Sequence, residues 1–204
     1  MVDRGCATPH LAAMSETPPW QILSSRTLVR DRWIDVTADA CRDARGNILD
    51  PYYTFNYPDW VHVVAITPAD ELVMVRHYRH GLRAQALELP AGRMDPADTS
   101  PEQGAARELR EETGYAAPEL RLISSLSPNT VTHRNRVHTV LALNATLAGP
   151  TAHEAGEDIT VELWPLEQVL AGIPQGLMQQ ALDLPGLLLA LNAIGRLSLE
   201  LRPR

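Results

Sequence analysis

A length of 204 residues makes one domain, or one domain with a small accessory module, and is enough to bury a core. Hydrophobic residues are 45% and charged residues 21%, which excludes wholesale disorder and low-complexity or collagen-like repeats. The 18 basic residues, all arginine, stand against 25 acidic ones for a net charge of −7; this disfavours nucleic acid as a partner but leaves room for a local arginine cluster around an anionic ligand.

Cys6 and Cys41 are the only cysteines, too few for a disulfide framework or a Cys-rich zinc site, and they fit a reducing, cytoplasmic setting. Met1–Pro19 lacks the apolar run of a signal peptide and reads as a disordered leader. No stretch approaches the ~18 consecutive apolar residues of a membrane span, so no membrane partner is expected.

Trp20–Val36 and Ala38–Asp43 carry β-like patches, and Arg45-Gly46-Asn47 makes a turn before the run Tyr52–Phe55, so residues 20–57 form a small N-terminal β segment. The remainder, 58–204, reads as the main domain. Trp60–Thr67 and Glu71–Tyr78 flank Pro68-Ala69-Asp70 in a hairpin pattern, and a short strand is expected at Ala86–Leu89. Further strands are expected at Leu120–Ser127, Arg136–Asn144 and Asp158–Trp164, with helical patterns at Leu166–Ala171 and Gln175–Leu199. Strands and helices intersperse without regular βαβ alternation, which predicts a mixed α+β sandwich.

The chemistry concentrates between Leu89 and Gly114. Ser100 suits an N-cap, Pro101 the first helical position, Gln103 the far side of a capping box and Gly114 a left-handed C-terminal cap, so a helix is predicted over Pro101–Thr113. At 100° per residue, Glu102, Ala105, Ala106, Leu109 and Thr113 share one side, and Gly104, Glu108, Glu111 and Glu112 form an adjoining stripe. Carboxylates three and four apart repel by a few tenths of a kcal/mol per pair, and the C-terminal end of a helix dipole disfavours them further. Arg107 is placed to pair with Glu111, leaving Glu108 and Glu112 without a sequence-local partner. A hard divalent cation, Mg2+ or Mn2+, would complement them. Taken alone, Arg107–Glu112 also reads as a solvated charged face.

With its surroundings, the stretch from Leu89-Pro90-Ala91-Gly92 through Arg107-Glu108-Leu109-Arg110-Glu111-Glu112-Thr113-Gly114 resembles the Nudix box, Gly-x5-Glu-x7-Arg-Glu-(aliphatic)-x-Glu-Glu-x-Gly. One departure stands out. Five residues separate Gly92 from Asp98, and eight rather than seven separate Asp98 from Arg107; aligned from the helix, Thr99 takes the place of the family's first Glu. That acid is therefore either replaced by Asp98 or missing. Met74–Arg79, Leu87–Gly92, Ser127-Pro128 and Glu157–Leu166 resemble the ADP-ribose pyrophosphatase branch of the family, with His77 where Gln is usual.

The resemblance implies a Nudix-like α/β/α sandwich with a mixed sheet, preceded by a β-rich dimerisation segment, and hence a homodimer. It implies Mg2+-dependent hydrolysis of the diphosphate of ADP-ribose or a related nucleoside diphosphate sugar, giving AMP and ribose 5-phosphate from ADP-ribose. The alternatives are another diphosphate such as GDP-mannose, or a non-catalytic ADP-ribose sensor. Glu108, Glu112 and the Ala91 carbonyl are implied as metal ligands, joined by Glu157, with Glu111 as companion carboxylate held by Arg107. Glu157 or Glu154 would take the proton from water. Arg79, Glu88 and, after Ser127-Pro128, Arg134 are the candidates for substrate binding, although Arg79 and Glu88 also read as partners of each other. Trp33, Tyr52, Tyr53 and Phe55 are weighed as base-stacking residues against the commoner fate of half-buried strand positions.

Overall fold

Asp31 interrupts the first β-like patch. One of its carboxylate oxygens accepts the N–H groups of Trp33 (2.7 Å) and Ile34 (2.9 Å), a turn that ends β1 (Gln21–Arg30) before β2 (Asp35–Arg42) begins, so β2 runs through the break between the expected patches Trp20–Val36 and Ala38–Asp43. Asp43 closes the next turn in the same way, accepting from Arg45 and Asn47 ahead of β3 (Ile48–Phe55). The three strands form an antiparallel sheet in the order β1-β2-β3. Its central strand buries Thr37, Ala38, Asp39 and Cys41, whereas all ten residues of β1 are exposed. The computed structural model describes residues 19–153, 156 and 158–200, and its contacts divide the chain into two units, Met1–Asn56 and Tyr57–Arg204. The expected disordered leader, Pro19 apart, lies outside the described residues.

The second unit runs β4 (Trp60–Ile66), β5 (Glu71–Arg79), β6 (Ala84–Glu88), β7 (Ala91–Arg93), α1 (Pro101–Thr113), β8 (Tyr115–Ala116), β9 (Glu119–Leu126), β10 (Val137–Leu143), β11 (Thr146–Leu147), β12 (Ile159–Pro165), α2 (Leu166–Gly172) and α3 (Asp183–Ala193). Its main sheet has the order β12-β5-β4-β10-β9 and is mixed: β10 runs parallel to β4 and antiparallel to β9. β4 and β5 pair at Ile66 and Leu72 and then part, β5 taking β6 as its partner and β4 taking β7. This splay brings the Leu89-Pro90-Ala91-Gly92 segment beside the sheet, with His62 in register with Ala91.

Alternation along the central strands builds two cores. Val61, Val63 and Ala65 face Ala105 and Leu109 of α1; Val64, Ile66 and Leu141 face Leu166 and Val169 of α2 and Leu187, Ala190 and Leu191 of α3. The result is the expected mixed-sheet sandwich, with α1 on one side and α2 and α3 on the other. The C-terminal helix is shorter than the predicted Gln175–Leu199, since a helix entering from Gln175 would carry Pro185 in its interior. Beginning at Asp183, the helix holds Pro185 in its first turn, where the missing N–H costs nothing. Among the described residues no helix is long and apolar enough to cross a membrane.

Candidate active site

Helix α1 has the predicted bounds because its caps are local chemistry. The Ser100 side chain accepts from the Gln103 N–H at 3.3 Å, and Gly114, at φ 75°, returns its own N–H to the Arg110 carbonyl at 2.9 Å. The reciprocal half of the capping box reaches one residue further out than expected: Gln103 Oε1 accepts both the N–H and the hydroxyl of Thr99, each at 2.7 Å.

The buried face of α1 takes residues from both the side and the adjoining stripe that periodicity outlines. Gly104, Ala105, Glu108, Leu109, Glu112 and Thr113 are buried, while Glu102 and Ala106 are only half-buried. Two of the three box carboxylates thus point toward the protein, and Glu111, whose side chain is 44% exposed, lies toward solvent. The reason is the Ala91-Gly92 segment. Glu112 Oε2 accepts the Ala91 N–H at 2.9 Å, and Gly92 leaves so little room that a Cβ there would stand 2.1 Å from the Glu108 carboxyl carbon.

Arg107 holds more than its expected single partner. Its Nη1 donates to Glu108 (2.7 Å) and Glu111 (3.0 Å), and its Nη2 donates to Asp98 (2.9 Å) and the Arg93 carbonyl (2.8 Å). Glu108 therefore does have a sequence-local partner, because the five-donor guanidinium serves several acceptors at once. Asp98 stands beside Arg107, while Thr99 faces Gln103. The Arg107 guanidinium keeps the Asp98 carboxyl below the usual carboxylate range, and Asp98 in turn raises the Arg107 pKa.

On the α3 side of the sheet a cavity of about 500 Å3 opens beside Ala91 and Gly92, and Trp60, His62, Arg79, Glu88, Arg93 and Gln180 are among its lining residues. Glu88 is buried and accepts from Arg79 Nε (3.0 Å), with His77 Nε2 3.2 Å away. Arg79 and Glu88 are thus both partners of each other and residues of the cavity. Arg134 is exposed in the loop after Ser127-Pro128 and is not among the cavity residues. Trp33, Tyr52, Tyr53 and Phe55 belong to the N-terminal unit, with the Arg32 guanidinium over the Trp33 ring.

Glu154 and Glu157 lie outside the described residues, but the two residues before Glu154 are tied to the end of α1. The Ala152 N–H donates to the Glu111 carbonyl and His153 Nε2 to the Glu112 carbonyl, both at 2.8 Å. Among the described residues no three His, Cys, Asp or Glu side chains are gathered for a metal ion. The donors at hand are all oxygen, the Glu108 and Glu112 carboxylates and the Ala91 carbonyl, a set that fits a hard divalent cation. The negative charge supports that fit, with Arg107 shared among Asp98, Glu108 and Glu111 and Glu112 taking a backbone N–H.

What reasoning from sequence missed is the far wall of the cavity. Trp60, His62, Gln179, Gln180 and Leu182 carry no motif, and the one usable signal was a histidine inside an apolar strand.

Comparison with known proteins accounts for both units. A NUDIX domain matches residues 57–181, and a nucleoside diphosphate sugar hydrolase N-terminal domain matches residues 20–55. The chain is similar to an ADP-ribose pyrophosphatase of Mycobacterium tuberculosis, 28% identical over 176 residues that cover 86% of this chain and 84% of the relative. It is also similar to the ADP compounds hydrolase NudE of Escherichia coli, 26% identical over 151 residues, 73% of this chain and 79% of the relative. A solved structure of an ADP compounds hydrolase superposes with a TM-score of 0.78 at 24% identity, covering 90% of this chain and 100% of the other, and so shares the fold.

Proposed function

This chain belongs to the NUDIX family as one of its hydrolases, and from that premise we propose that it cleaves the diphosphate of ADP-ribose or a close nucleoside diphosphate sugar with the help of Mg2+. Water is added across the P–O–P link, so that ADP-ribose gives AMP and ribose 5-phosphate. The observation that carries this reading is the pair of buried carboxylates, Glu108 and Glu112, packed against the Ala91-Gly92 segment, whose two residues also line the cavity. The similarity to the mycobacterial ADP-ribose pyrophosphatase supports the substrate.

Glu108, Glu112 and the Ala91 carbonyl would hold the metal, with Glu157 from the following loop. Bound there, Mg2+ supplies a charge that offsets the diphosphate and makes a water more acidic. Arg107 orients Glu108 and Glu111, and Asp98 steadies Arg107 from behind. Glu157, or Glu154 beside it, takes the proton of the attacking water; the two bonds that fasten Ala152 and His153 to the end of α1 support that assignment. Arg79, paired with Glu88, turns toward substrate phosphate in the cavity, and Arg134 would add charge from its loop.

The exposed strand β1, with Ile22, Leu23, Leu28 and Val29 open, supports a homodimer through the N-terminal unit. Cys41 is buried as a free thiol, which supports a cytoplasmic setting. Release of AMP from ADP-ribose with Mg2+ tests the function. Glu112→Gln is expected to lower kcat by about 100-fold or more, since a metal ligand supplies several kcal/mol of transition-state stabilisation. Tight ADP-ribose binding without turnover by the wild type would instead make the protein a sensor.

A further inference from the structure

His62 sits in the middle of β4 with only 5% of its surface exposed, yet it is a wall of the cavity. Behind it stands Asp183, 1% exposed, the first residue of α3. Asp183 Oδ2 accepts the Leu89 N–H at 3.0 Å, and Asp183 Oδ1 lies 2.7 Å from His62 Nδ1, off the line of an ideal N–H bond. A lone pair on Nδ1 facing a carboxylate oxygen at that distance is repulsive, which favours the tautomer with its proton on Nδ1. In that tautomer Nε2 is an acceptor, and it has no hydrogen-bond partner among the described residues. Nδ1 is buried against Asp183, whereas Nε2 is not among the ring's fully buried atoms and is the acceptor a ligand in the cavity can meet.

The rest of the cavity indicates which ligand. Arg79 and Arg93 offer donors for phosphate oxygens, while Glu88 and His62 offer acceptors for hydroxyls. Trp60, the one tryptophan of the wall, already stacks on Tyr57 at 5.8 Å. Donors for phosphate beside acceptors for hydroxyls match a phosphorylated sugar better than a flat base. We propose that His62, positioned by Asp183, is a specificity-determining residue whose Nε2 accepts a hydrogen bond from a hydroxyl of the sugar phosphate half of the substrate. The inference rests on the hydrolase reading above, but it concerns binding and is tested by binding.

The test is calorimetric titration of wild type, His62→Asn and His62→Gln with ribose 5-phosphate, inorganic phosphate and AMP. Asparagine retains a donor where Nδ1 faces Asp183 and deletes Nε2; glutamine restores an acceptor near the Nε2 position, and thermal melting shows that each variant is folded. Expected is a three- to tenfold weaker Kd for ribose 5-phosphate in His62→Asn, recovery to within about threefold of wild type in His62→Gln, and phosphate binding unchanged in both, the range of one neutral hydrogen bond. Equal losses for phosphate and ribose 5-phosphate, no loss at all, or a loss confined to AMP would each overturn the proposal. Assay of the wild type on ADP-ribose keeps the two ideas apart: absent turnover with the sugar-selective loss intact sinks the hydrolase reading and leaves the His62 assignment standing.

Discussion

At Glu88 burial and charge oppose each other. Burial pushes its carboxyl pKa up, but the contacts with His77 and Arg79 prevail and take it from 4.5 down to about 2. A carboxyl with a folded pKa below its unfolded one binds fewer protons in the native state, so its stabilisation is complete above about pH 4.5 and is lost as the pH falls toward 2. With Arg79 half exposed, the effect is on the order of 2 kcal/mol. Denaturant unfolding between pH 5 and pH 2 is expected to show a steeper loss for wild type than for Glu88→Gln; parallel curves would contradict the assignment. Asp98 makes the second prediction at this scale. Because it grips Arg107 while Thr99 faces Gln103, Asp98→Asn is expected to lower kcat about tenfold with little change in KM. Adding Thr99→Glu is not expected to restore it, and recovery of the rate would place the first acid at Thr99 instead.

Among elements, the decisive packing is between α1 and the short strand β7. Gly92 and Gly114 bracket it, and they differ in what a methyl group would meet. At Gly92 the obstacle is the end of the flexible Glu108 side chain, which swings away; at Gly114, with φ at 75°, it is the Gly149 carbonyl oxygen at 2.3 Å, a backbone atom that does not yield. Gly92→Ala is therefore expected to shift stability by less than about 1 kcal/mol while removing about 99% of activity. Gly114→Ala is expected to cost more than about 1 kcal/mol, through left-handed strain and the clash together. Thermal melting and AMP release measured on both variants separate the two effects, and a similar melting loss in both would refute the account.

For the whole molecule, the open question is one of assembly. An exposed ten-residue edge strand carrying Ile22, Leu28 and Val29 is the kind of edge that pairing with a second copy removes from water. Sedimentation of the full chain is expected to give a dimer, and the combined Ile22→Glu and Leu28→Glu variant a monomer with an unchanged far-ultraviolet spectrum. A wild-type monomer at micromolar concentration would remove the assembly from the reading.

Helix α1, its ends and the spacing of Glu108, Glu111 and Glu112 were legible in the sequence, because caps, left-handed glycines and helical periodicity act over a few residues. The strand runs of the main sheet were legible for a similar reason, since burial on both faces leaves continuous apolar stretches. Periodicity did not reveal which face of α1 is buried, because that depends on where β7 lies after β4 and β5 part. Nor did it show that Asp98 rather than Thr99 meets Arg107, since an added loop residue has two ways to be accommodated. The pairing of Arg79 with Glu88 was weighed from the sequence, but only the tertiary structure buried Glu88 in it across two paired strands and joined His62 to Asp183 from distant parts of the chain. Local preferences set the elements, whereas the contacts that define the cavity arise between elements, where strand register and helix docking decide which side chains meet.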